Sequence, residues 1–425
     1  MAYNNPKGTR DITGKESEAY EKIMDRMRHY FRLYGFEFMS TPHMERMSVL
    51  TSKFSGGEEI IKEIFSLQDQ GKRNLGLRYD HTIPFSRFVA SRPDLNLPYM
   101  RATIGSVFRD GPVKTGRLRE FSQADCDIYG AKGIESEILL LSLSSMIYDD
   151  LNLDVDIRIN HRILLESIIL SAGVPINKVE KVMLVIDKLL KIGQQNVVEE
   201  LSSIGITNKQ SSKIFDYINT DNDIVKIESM ILEDNTIKPD IKENMINAIK
   251  ELSVVLSYNI NGVRFDPSLA RGLNYYTGIV FEAFYTDSAF NSSIAAGGRY
   301  KSIFKREVDC VGISFGIDAM MTGADISITD KKPRVYVIPL KDNYRHANDI
   351  CRIMRKENII TGIDIVSRTL QKNLKYADAK GYDYVLIVGD KEVSEQKYTL
   401  RNLDTGKEQS LKLTDIIRML GLEHL

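Results

Sequence analysis

Cysteine is scarce in this sequence, and histidines are never closely spaced. The three cysteines, Cys126, Cys310 and Cys351, are far apart and odd in number, and no Cys-X-X-Cys pair occurs. This pattern excludes a disulfide framework and is typical of a protein from a reducing cytosol. The six histidines are not spaced as metal ligands, which argues against a zinc site. We therefore predict a cytoplasmic protein without a bound metal.

Long hydrophobic runs and an excess of one charge are also missing. No apolar run is long enough to span a bilayer, and the N-terminal stretch MAYNNPKGTRD lacks the apolar core of a secretory signal. The 57 Lys and Arg residues against 58 Asp and Glu residues give a net charge of −1. The whole chain therefore has no general attraction to nucleic acid, although residues 333–425 carry a small basic excess of 16 against 13. We expect no membrane partner and leave local nucleic-acid contacts open.

What the chain does contain is typical of a folded protein with several domains. Hydrophobic residues make up 43% of the sequence and charged residues 27%, as in ordinary globular proteins. A length of 425 residues leaves room for two or three domains, each with its own core.

The pattern of apolar residues changes along the chain. Residues 20–34 have helical spacing, and Gly35 stands where a C-cap glycine belongs. Between residues 60 and 130, short strand-like segments are joined by hairpin-length loops, which favours an antiparallel sheet. Residues 162–253 then show helical stripes. After the polar segment 323–332, strands alternate with helices, which is typical of a small α/β domain.

The segment RGLNYYTG, residues 271–278, places an arginine beside two tyrosines, with a glycine on each side. Taken alone, a turn that leads into a strand at 278–284 is the better explanation, because short motifs recur by chance. The functional hypothesis is that Arg271 serves an anion, that Tyr275 and Tyr276 serve a ring, and that the glycines permit close approach. Other segments of the sequence are needed to distinguish a simple turn from a ligand-binding segment.

A second segment, FRDGPVKTGRLREFSQADCDIYG at 108–130, has the pattern of a hairpin with a charged rim. Gln123, Asp125 and Asp127 recur at period two, so all three point to one face of the returning strand. A strand face with an amide and two carboxylates is not a core face, and the alternative is a solvated edge strand. The arginines on or beside the hairpin are Arg109, Arg117 and Arg119.

Three further segments carry glycines or polar residues in strand-like contexts. LRYDHTIPFSRF (77–88) places Asp80 and Thr82 on one face of a predicted strand. AAGGRY (295–300) contains paired glycines, which either form a tight turn or let a ligand approach the backbone. VGISFGID (311–318) is a glycine-punctuated strand that leads into a predicted helix.

Together these segments resemble histidyl-tRNA synthetase, a class II aminoacyl-tRNA synthetase, over nearly the whole chain. PKGTRD resembles the family's opening signature, STPHME its motif 1, FRDG…GRLREFSQ its motif 2 and VGISFGID its motif 3. RGLNYYTG and AAGGRY resemble the two segments particular to the histidine enzyme. One such motif is weak evidence, but six in the family's order and spacing are specific. A generic nucleotide-binding protein is disfavoured because no GxGxxG or Walker loop occurs.

The resemblance implies an α+β fold with two domains. A class II catalytic domain built on an antiparallel sheet is expected at residues 1–322, with a helical insertion at about 162–253. A linker at 323–332 leads to an α/β anticodon-binding domain at 333–425. The resemblance also implies a homodimer that uses the 16–45 region.

The reaction implied is the joining of L-histidine to tRNA(His) through a histidyl-adenylate. ATP is expected as its Mg²⁺ complex, without any tightly bound cofactor. Two anions, a carboxylate and a triphosphate, must meet in the first step, so fixed cations near the α-phosphate are the main contribution a protein can make. Arginine suits that position because it stays charged and offers a planar fork of donors. By resemblance, the catalytic residues are Arg109 and Arg271.

The remaining site residues follow from the same resemblance. Asp80, Thr82 and Gln123 are expected at the ammonium group of the substrate. Asp127 and the tyrosine pair are expected at its imidazole ring. The complete histidine-binding set is Asp80, His81, Thr82, Arg109, Gln123, Asp127, Arg271, Tyr275 and Tyr276. The ATP-binding set is Arg109, Arg117, Gln123, Arg271 and Gly316.

The chain departs from the family pattern at several positions. Ala319 follows the acid of motif 3 where an arginine is usual, and Gly111 stands where motif 2 carries an acid. RGLNYYTG has Asn274 in place of aspartate, and AAGGRY continues with Lys301 in place of aspartate. In the motif 2 loop, where the family commonly has a glutamine, the residues are Val113 and Lys114.

A catalytically silent relative is therefore the alternative to an active enzyme. It would be a regulatory subunit of histidine biosynthesis or a domain that senses uncharged tRNA. Such regulatory subunits generally lack the C-terminal domain and degrade the segment that corresponds to RGLNYYTG, whereas this chain has both features.

Overall fold

The computed structural model describes residues 3–52, 61–113, 116–271, 275–286, 290, 292–302, 308–323 and 333–422. Lys114, Asn274 and all but the first residue of the predicted linker 323–332 lie outside these ranges. The chain forms two compact units, Met1–Ser327 and Ile328–Leu425. No helix in the described ranges is both long and apolar enough to cross a membrane.

The first unit is built on an eight-stranded sheet. Its strands in spatial order are β1 (Glu37–Phe38), β5 (Tyr99–Phe108), β6 (Glu120–Tyr129), β11 (Asp309–Gly316), β10 (Ala295–Lys301), β9 (Tyr276–Tyr285), β7 (Val155–His161) and β8 (Val263–Phe265). The pairs β1–β5 and β7–β8 at the two edges are parallel, and all others are antiparallel. A small antiparallel sheet contains β2 (Met44–Arg46), β4 (Asn74–Leu77) and β3 (Ser66–Gln68). The antiparallel sheet predicted for residues 60–130 is thereby confirmed.

This unit also has eleven helices whose bounds the structure describes. They are α1 (Gly14–Leu33), α2 (Met47–Leu50), α3 (Thr82–Ala90), α4 (Glu135–Asp150), α5 (Arg162–Ser171), α6 (Ile176–Ile186), α7 (Leu189–Ser203), α8 (Asn208–Ile218), α9 (Ile224–Glu233), α10 (Pro239–Ser257) and α11 (Ile317–Gly323). The first of them ends as predicted, with Gly35 at a φ of 80°. The Phe36 N–H donates to the carbonyl of Phe31 at 2.9 Å, which is the hydrogen bond of a Schellman C-cap.

One face of the large sheet belongs to the hydrophobic core. Along β6, Ala124, Cys126 and Ile128 join a buried cluster that also contains side chains of α1 and α4. The same cluster continues through α5 to α10, for example at Ile168 and Leu252. Because side chains alternate along a strand, the other face of β6 is left to its polar residues.

The structure contradicts one local prediction near this face. Asp80 and Thr82 do not share a strand face, because β4 ends at Leu77 and α3 begins at Thr82. The Ile83 N–H donates to Asp80 Oδ1 at 3.0 Å, so this carboxylate satisfies a free donor of the first helical turn. Pro84 fits there because the first turn does not need its missing N–H.

The second unit alternates strands and helices as predicted. Its sheet has the order β13 (Ile360–Ile363), β12 (Arg334–Pro339), β14 (Tyr384–Val388), β15 (Tyr398–Asn402) and β16 (Glu408–Leu411). The pairs β12–β13 and β12–β14 are parallel, and the last two pairs are antiparallel. A hairpin around Asp404 joins β15 to β16. The helices are α12 (Tyr344–Lys356), α13 (Leu370–Ala379), α14 (Asp390–Glu395) and α15 (Leu413–Leu422).

Candidate active site

The polar face of the large sheet brings predicted site residues into direct register. Asp127 on β6 lies opposite Arg101 on β5 and opposite Gly312 on β11. A Cβ atom at Gly312 would lie 2.1 Å from Asp127 Oδ1, so only glycine leaves the carboxylate in place. The glycine-punctuated strand of motif 3 therefore has a direct steric role here.

Two buried groups hold the Asp127 carboxylate. The Tyr300 hydroxyl donates to Asp127 Oδ1 at 2.7 Å, and the Arg101 guanidinium forms an ion pair with Oδ2. Burial raises the pKa of Asp127, and Arg101 and the Tyr300 hydrogen bond oppose that shift. Burial also raises the pKa of Tyr300 well above its usual value, so its hydroxyl remains a donor.

Asp125 and Gln123 continue the same polar face along β6. Ser314 Oγ donates to Asp125 Oδ1 at 2.6 Å. Burial raises the pKa of Asp125 to about 7. Gln123 lies opposite Gly316, and its Oε1 is buried without a hydrogen-bond partner among the described residues. A buried acceptor without a partner is costly unless a ligand or water satisfies it.

The start of α3 contributes Asp80 and His81 from the preceding turn and Thr82 as the first helical residue. Burial raises the pKa of Asp80 to about 6, and its electrostatic interaction with Arg109 opposes this shift. His81 is completely buried, and its Nε2 lies 3.2 Å from the carbonyl oxygen of Gly105. Burial lowers the pKa of His81 to about 3, so its ring is neutral. Of these three side chains, that of His81 has no exposed surface, so a ligand cannot reach it in this structure.

A cluster of tyrosines connects Arg271 to Asp127. The ring centroids of Tyr275 and Tyr276 are 4.6 Å apart, and Tyr275 meets Tyr300 edge-on at 5.8 Å. Arg271 lies 5.6 Å from the centre of the Tyr276 ring and forms an ion pair with Glu282 on β9. Burial lowers the pKa of Arg271, but Tyr276 and Glu282 outweigh this effect and raise it overall. The described residues of RGLNYYTG thus lead into β9 and also supply side chains to the polar face. Gly272, predicted to permit close approach, lies outside the described ranges.

Arg109 approaches the same cluster from the end of β5. Its Nε donates to the carbonyl of Tyr79 at 3.1 Å, and its guanidinium lies 5.2 Å from the centre of the Phe121 ring. It interacts electrostatically with Asp80 and Tyr275. Tyr275 also interacts with Arg271 and Asp80, so the two predicted catalytic arginines share one phenolic neighbour.

Arg117 lies at the rim and is held by Glu63. Its Nη2 lies 2.7 and 3.0 Å from the two carboxylate oxygens of Glu63. A Cβ atom at Gly111 would lie 2.6 Å from Glu63 Oε1. The Glu63 carboxylate therefore occupies the space that a side chain at position 111 would enter.

Sequence patterns did not single out four residues of this site, namely Arg101, Tyr300, Glu63 and Glu282. Tyr300 lies in AAGGRY, but the sequence pattern of that segment indicates a role only for the two glycines. Arg101 had a usable signal, because it is a charge inside an otherwise apolar strand segment. Glu63 and Glu282 are joined to their arginines only by the fold. No group of three or more potential metal ligands occurs among the described residues.

Comparisons with known proteins show which family the chain resembles. Residues 8–320 match the family model of histidyl-tRNA synthetase, and residues 334–421 match that of an anticodon binding domain. The chain is 36% identical to histidine–tRNA ligase 1 of Bacillus cereus, over 98% of this chain and 97% of that protein. It also resembles the crystal structure of histidyl-tRNA synthetase from Nostoc, with a TM-score of 0.85, 25% identity and full coverage of both chains.

A third comparison concerns the fold alone. A Bacillus halodurans structure described as an ATP phosphoribosyltransferase regulatory subunit/histidyl-tRNA synthetase has a TM-score of 0.72 at 19% identity, covering 92% of this chain and 99% of that one. Such identity does not separate an enzyme from a regulatory relative. The family model and the full-length relatives do identify the family, and the chain belongs to the histidyl-tRNA synthetases.

Proposed function

We propose that this chain is a histidine–tRNA ligase that joins L-histidine to tRNA(His) in two steps. The observation that carries the proposal is a continuous series of contacts from Arg271 to Asp127. Arg271 lies over the Tyr276 ring, and Tyr276 packs against Tyr275. Tyr275 meets Tyr300, whose hydroxyl donates to Asp127. A fixed cation suited to a phosphate thereby lies in the same cluster as an acceptor suited to the substrate ring. Family membership supports the same activity.

In the first step, an oxygen of the histidine carboxylate attacks the α-phosphorus of ATP. The bond from this phosphorus to the bridging oxygen breaks, and pyrophosphate leaves with the electron pair. Arg109 and Arg271 stabilise the charge that builds on the phosphoryl oxygens. In the second step, a ribose hydroxyl at the 3′ end of the tRNA attacks the acyl carbon, and AMP leaves.

Selection of histidine is assigned to the sheet face and the turn before α3. Asp80, Thr82 and Gln123 hold the ammonium group, and the unsatisfied Gln123 Oε1 supports this role. Asp127, together with Tyr275 and Tyr276, holds the imidazole ring. A site with such buried polar groups rejects analogues that leave them unpaired, by about 10⁴-fold or more. His81 does not contact the substrate but supports the turn before α3 through its contact with the carbonyl oxygen of Gly105.

ATP binding is assigned to Arg109, Arg117, Gln123, Arg271 and Gly316. ATP enters as its Mg²⁺ complex, and the magnesium belongs to the substrate. Arg117 is held by Glu63 at the rim and can turn towards the outer phosphates. We propose that it supplies cationic charge that the usual motif 3 arginine, replaced by Ala319, would otherwise provide.

The chain organisation follows the same proposal. Residues 1–322 form the catalytic domain, with the insertion at about 162–253, and 323–332 form the linker. Residues 333–425 bind the anticodon stem-loop, for which the family match at 334–421 gives support. We further propose a cytoplasmic homodimer that uses the 16–45 region, since isologous dimers are the commonest assemblies.

Histidine-dependent exchange of labelled pyrophosphate into ATP tests the proposal on the purified chain. An active ligase shows exchange that requires histidine and then charges tRNA(His). A chain that binds histidine or tRNA without exchange would instead be the silent regulatory relative. No present observation favours that alternative.

A further inference from the structure

Arg101 is a completely buried cation beside the predicted ring pocket. It lies on β5, has no exposed surface and faces Asp127 across the strand pair. Its guanidinium forms an ion pair with Asp127 and lies 4.6 Å from the centre of the Phe85 ring on α3. Its Nε and Nη1 have no hydrogen-bond partner within the described part of the chain. Burying such a group is costly, which distinguishes Arg101 from an ordinary core residue.

The titratable and charged groups around the pair come from five segments. They are Asp80, Arg78 and His81 in the turn before α3, Asp125 and Cys126 on β6, Tyr300 on β10, Cys310 on β11, and Arg109 at the end of β5. Burial keeps His81 neutral through a pKa lowered to about 3. Tyr300 and both thiols are also uncharged, because burial raises their pKa values.

The charge of Asp127 is therefore matched locally by Arg101. A carboxylate without such a neighbour would attract an imidazolium, which has two N–H donors and a positive charge. A carboxylate already paired with a guanidinium offers an acceptor without net negative charge. A neutral imidazole, with one donor and one acceptor, is the form of the ring that such a pair accommodates best.

We propose that Arg101 is a positioning and specificity-determining residue that makes the site select histidine with a neutral imidazole ring. It acts through Asp127, which it orients and whose charge it balances. The inference rests on the proposed function, because it assumes that Asp127 contacts the substrate ring.

The test measures KM for histidine and for ATP between about pH 5.5 and pH 8.5 in pyrophosphate exchange. For the unmodified protein, the histidine KM should rise about tenfold for each pH unit below the ring pKa of about 6.5. In Arg101→Met the uncompensated Asp127 should favour imidazolium, so the histidine KM should rise about tenfold or more at pH 8 and fall towards pH 6. Arg101→Lys retains the charge and should keep the original direction of the profile.

Arg158→Met is a matched control. Arg158 lies in the same sheet on β7, pairs with Asp156 and lies 4.7 Å from the centre of the Phe284 ring. Its loss should leave the pH profile of histidine KM unchanged. An equal rise of KM at every pH in Arg101→Met would show a merely structural role and overturn the proposal.

A second measurement keeps the test informative if Arg101→Met does not fold. A triazole analogue of histidine gains no ring proton in this pH range, so its KM should vary only with the protein's own carboxylates, Asp80 and Asp125. The ratio of the histidine KM to the triazole KM should therefore rise about tenfold for each pH unit below about 6.5. If its KM followed that of histidine, the titrating group would belong to the protein and the proposal would be wrong. Absence of any histidine-dependent exchange would instead contradict the proposed function itself.

Discussion

Replacement of Arg271 by alanine should slow adenylate formation by about 10²-fold or more. The expected cost is roughly 3–4 kcal/mol of activation free energy, the range found when one fixed donor to a developing anion is removed. Histidine affinity should change little, because the lost interaction forms mainly with the phosphoryl group in the transition state.

The ion pair with Glu282 determines how this experiment must be controlled. The side chains of Arg271 and Glu282 are only 17% and 14% exposed, so Arg271→Ala leaves a nearly buried carboxylate without its cation. Removal of one partner from a buried pair costs roughly 3–5 kcal/mol of folding free energy, and the residual exposure favours the lower end. Thermal unfolding should therefore show a clear loss of stability, which a second change, Glu282→Gln, should largely reverse.

The assay is single-turnover release of pyrophosphate at saturating ATP and histidine, at a temperature where each variant is folded. The double variant should recover stability without recovering the rate. If Arg271→Ala formed adenylate at the original rate, Arg271 would have no part in the chemistry. Full recovery of the rate in the double variant would show that the defect was one of folding.

Four further predictions concern the pocket and the assembly. Asp127→Asn should raise the histidine KM in pyrophosphate exchange and leave the ATP KM nearly constant, and a larger effect on ATP would place Asp127 elsewhere. Gly312→Ala should have the same signature, because its Cβ would meet the Asp127 carboxylate at 2.1 Å, whereas Gly421→Ala, whose Cβ meets no atom within 4 Å, should change neither KM. Deletion of residues 333–425 should impair charging of tRNA far more than exchange, and it should flatten the salt dependence of tRNA binding; near-normal charging would refute the anticodon role. Light scattering at micromolar concentration should show a homodimer, and an active monomer would contradict the role of the 16–45 region.

Local patterns predicted the regular elements well where one physical cause dominated. The apolar spacing before Gly35 predicted both α1 and its C-cap, because helix termination by a left-handed glycine is a local event. The period-two polar residues of β6 predicted the face that bears Asp127, because alternation is a property of a single strand.

The errors and omissions have physical reasons as well. The strand face predicted for Asp80 and Thr82 is wrong, because the Asp80 carboxylate accepts the backbone N–H of Ile83 at the start of α3. Arg101 and Tyr300 meet Asp127 only after β5, β6, β11 and β10 have paired. Such contacts depend on register between distant segments, which the spacing within one segment does not contain.

Because Glu63 lies close to Gly111, substitutions at these two positions, which are far apart in sequence, affect the same space. An acidic side chain at 111 would displace the Glu63 carboxylate and break its contact with Arg117, and loss of Glu63 alone would leave that arginine without its anion. We expect either change alone to remove the ion pair between Glu63 and Arg117, whereas the two together would place a carboxylate from position 111 in the space that Glu63 leaves. The effect of a substitution at either position is therefore expected to depend on the residue at the other.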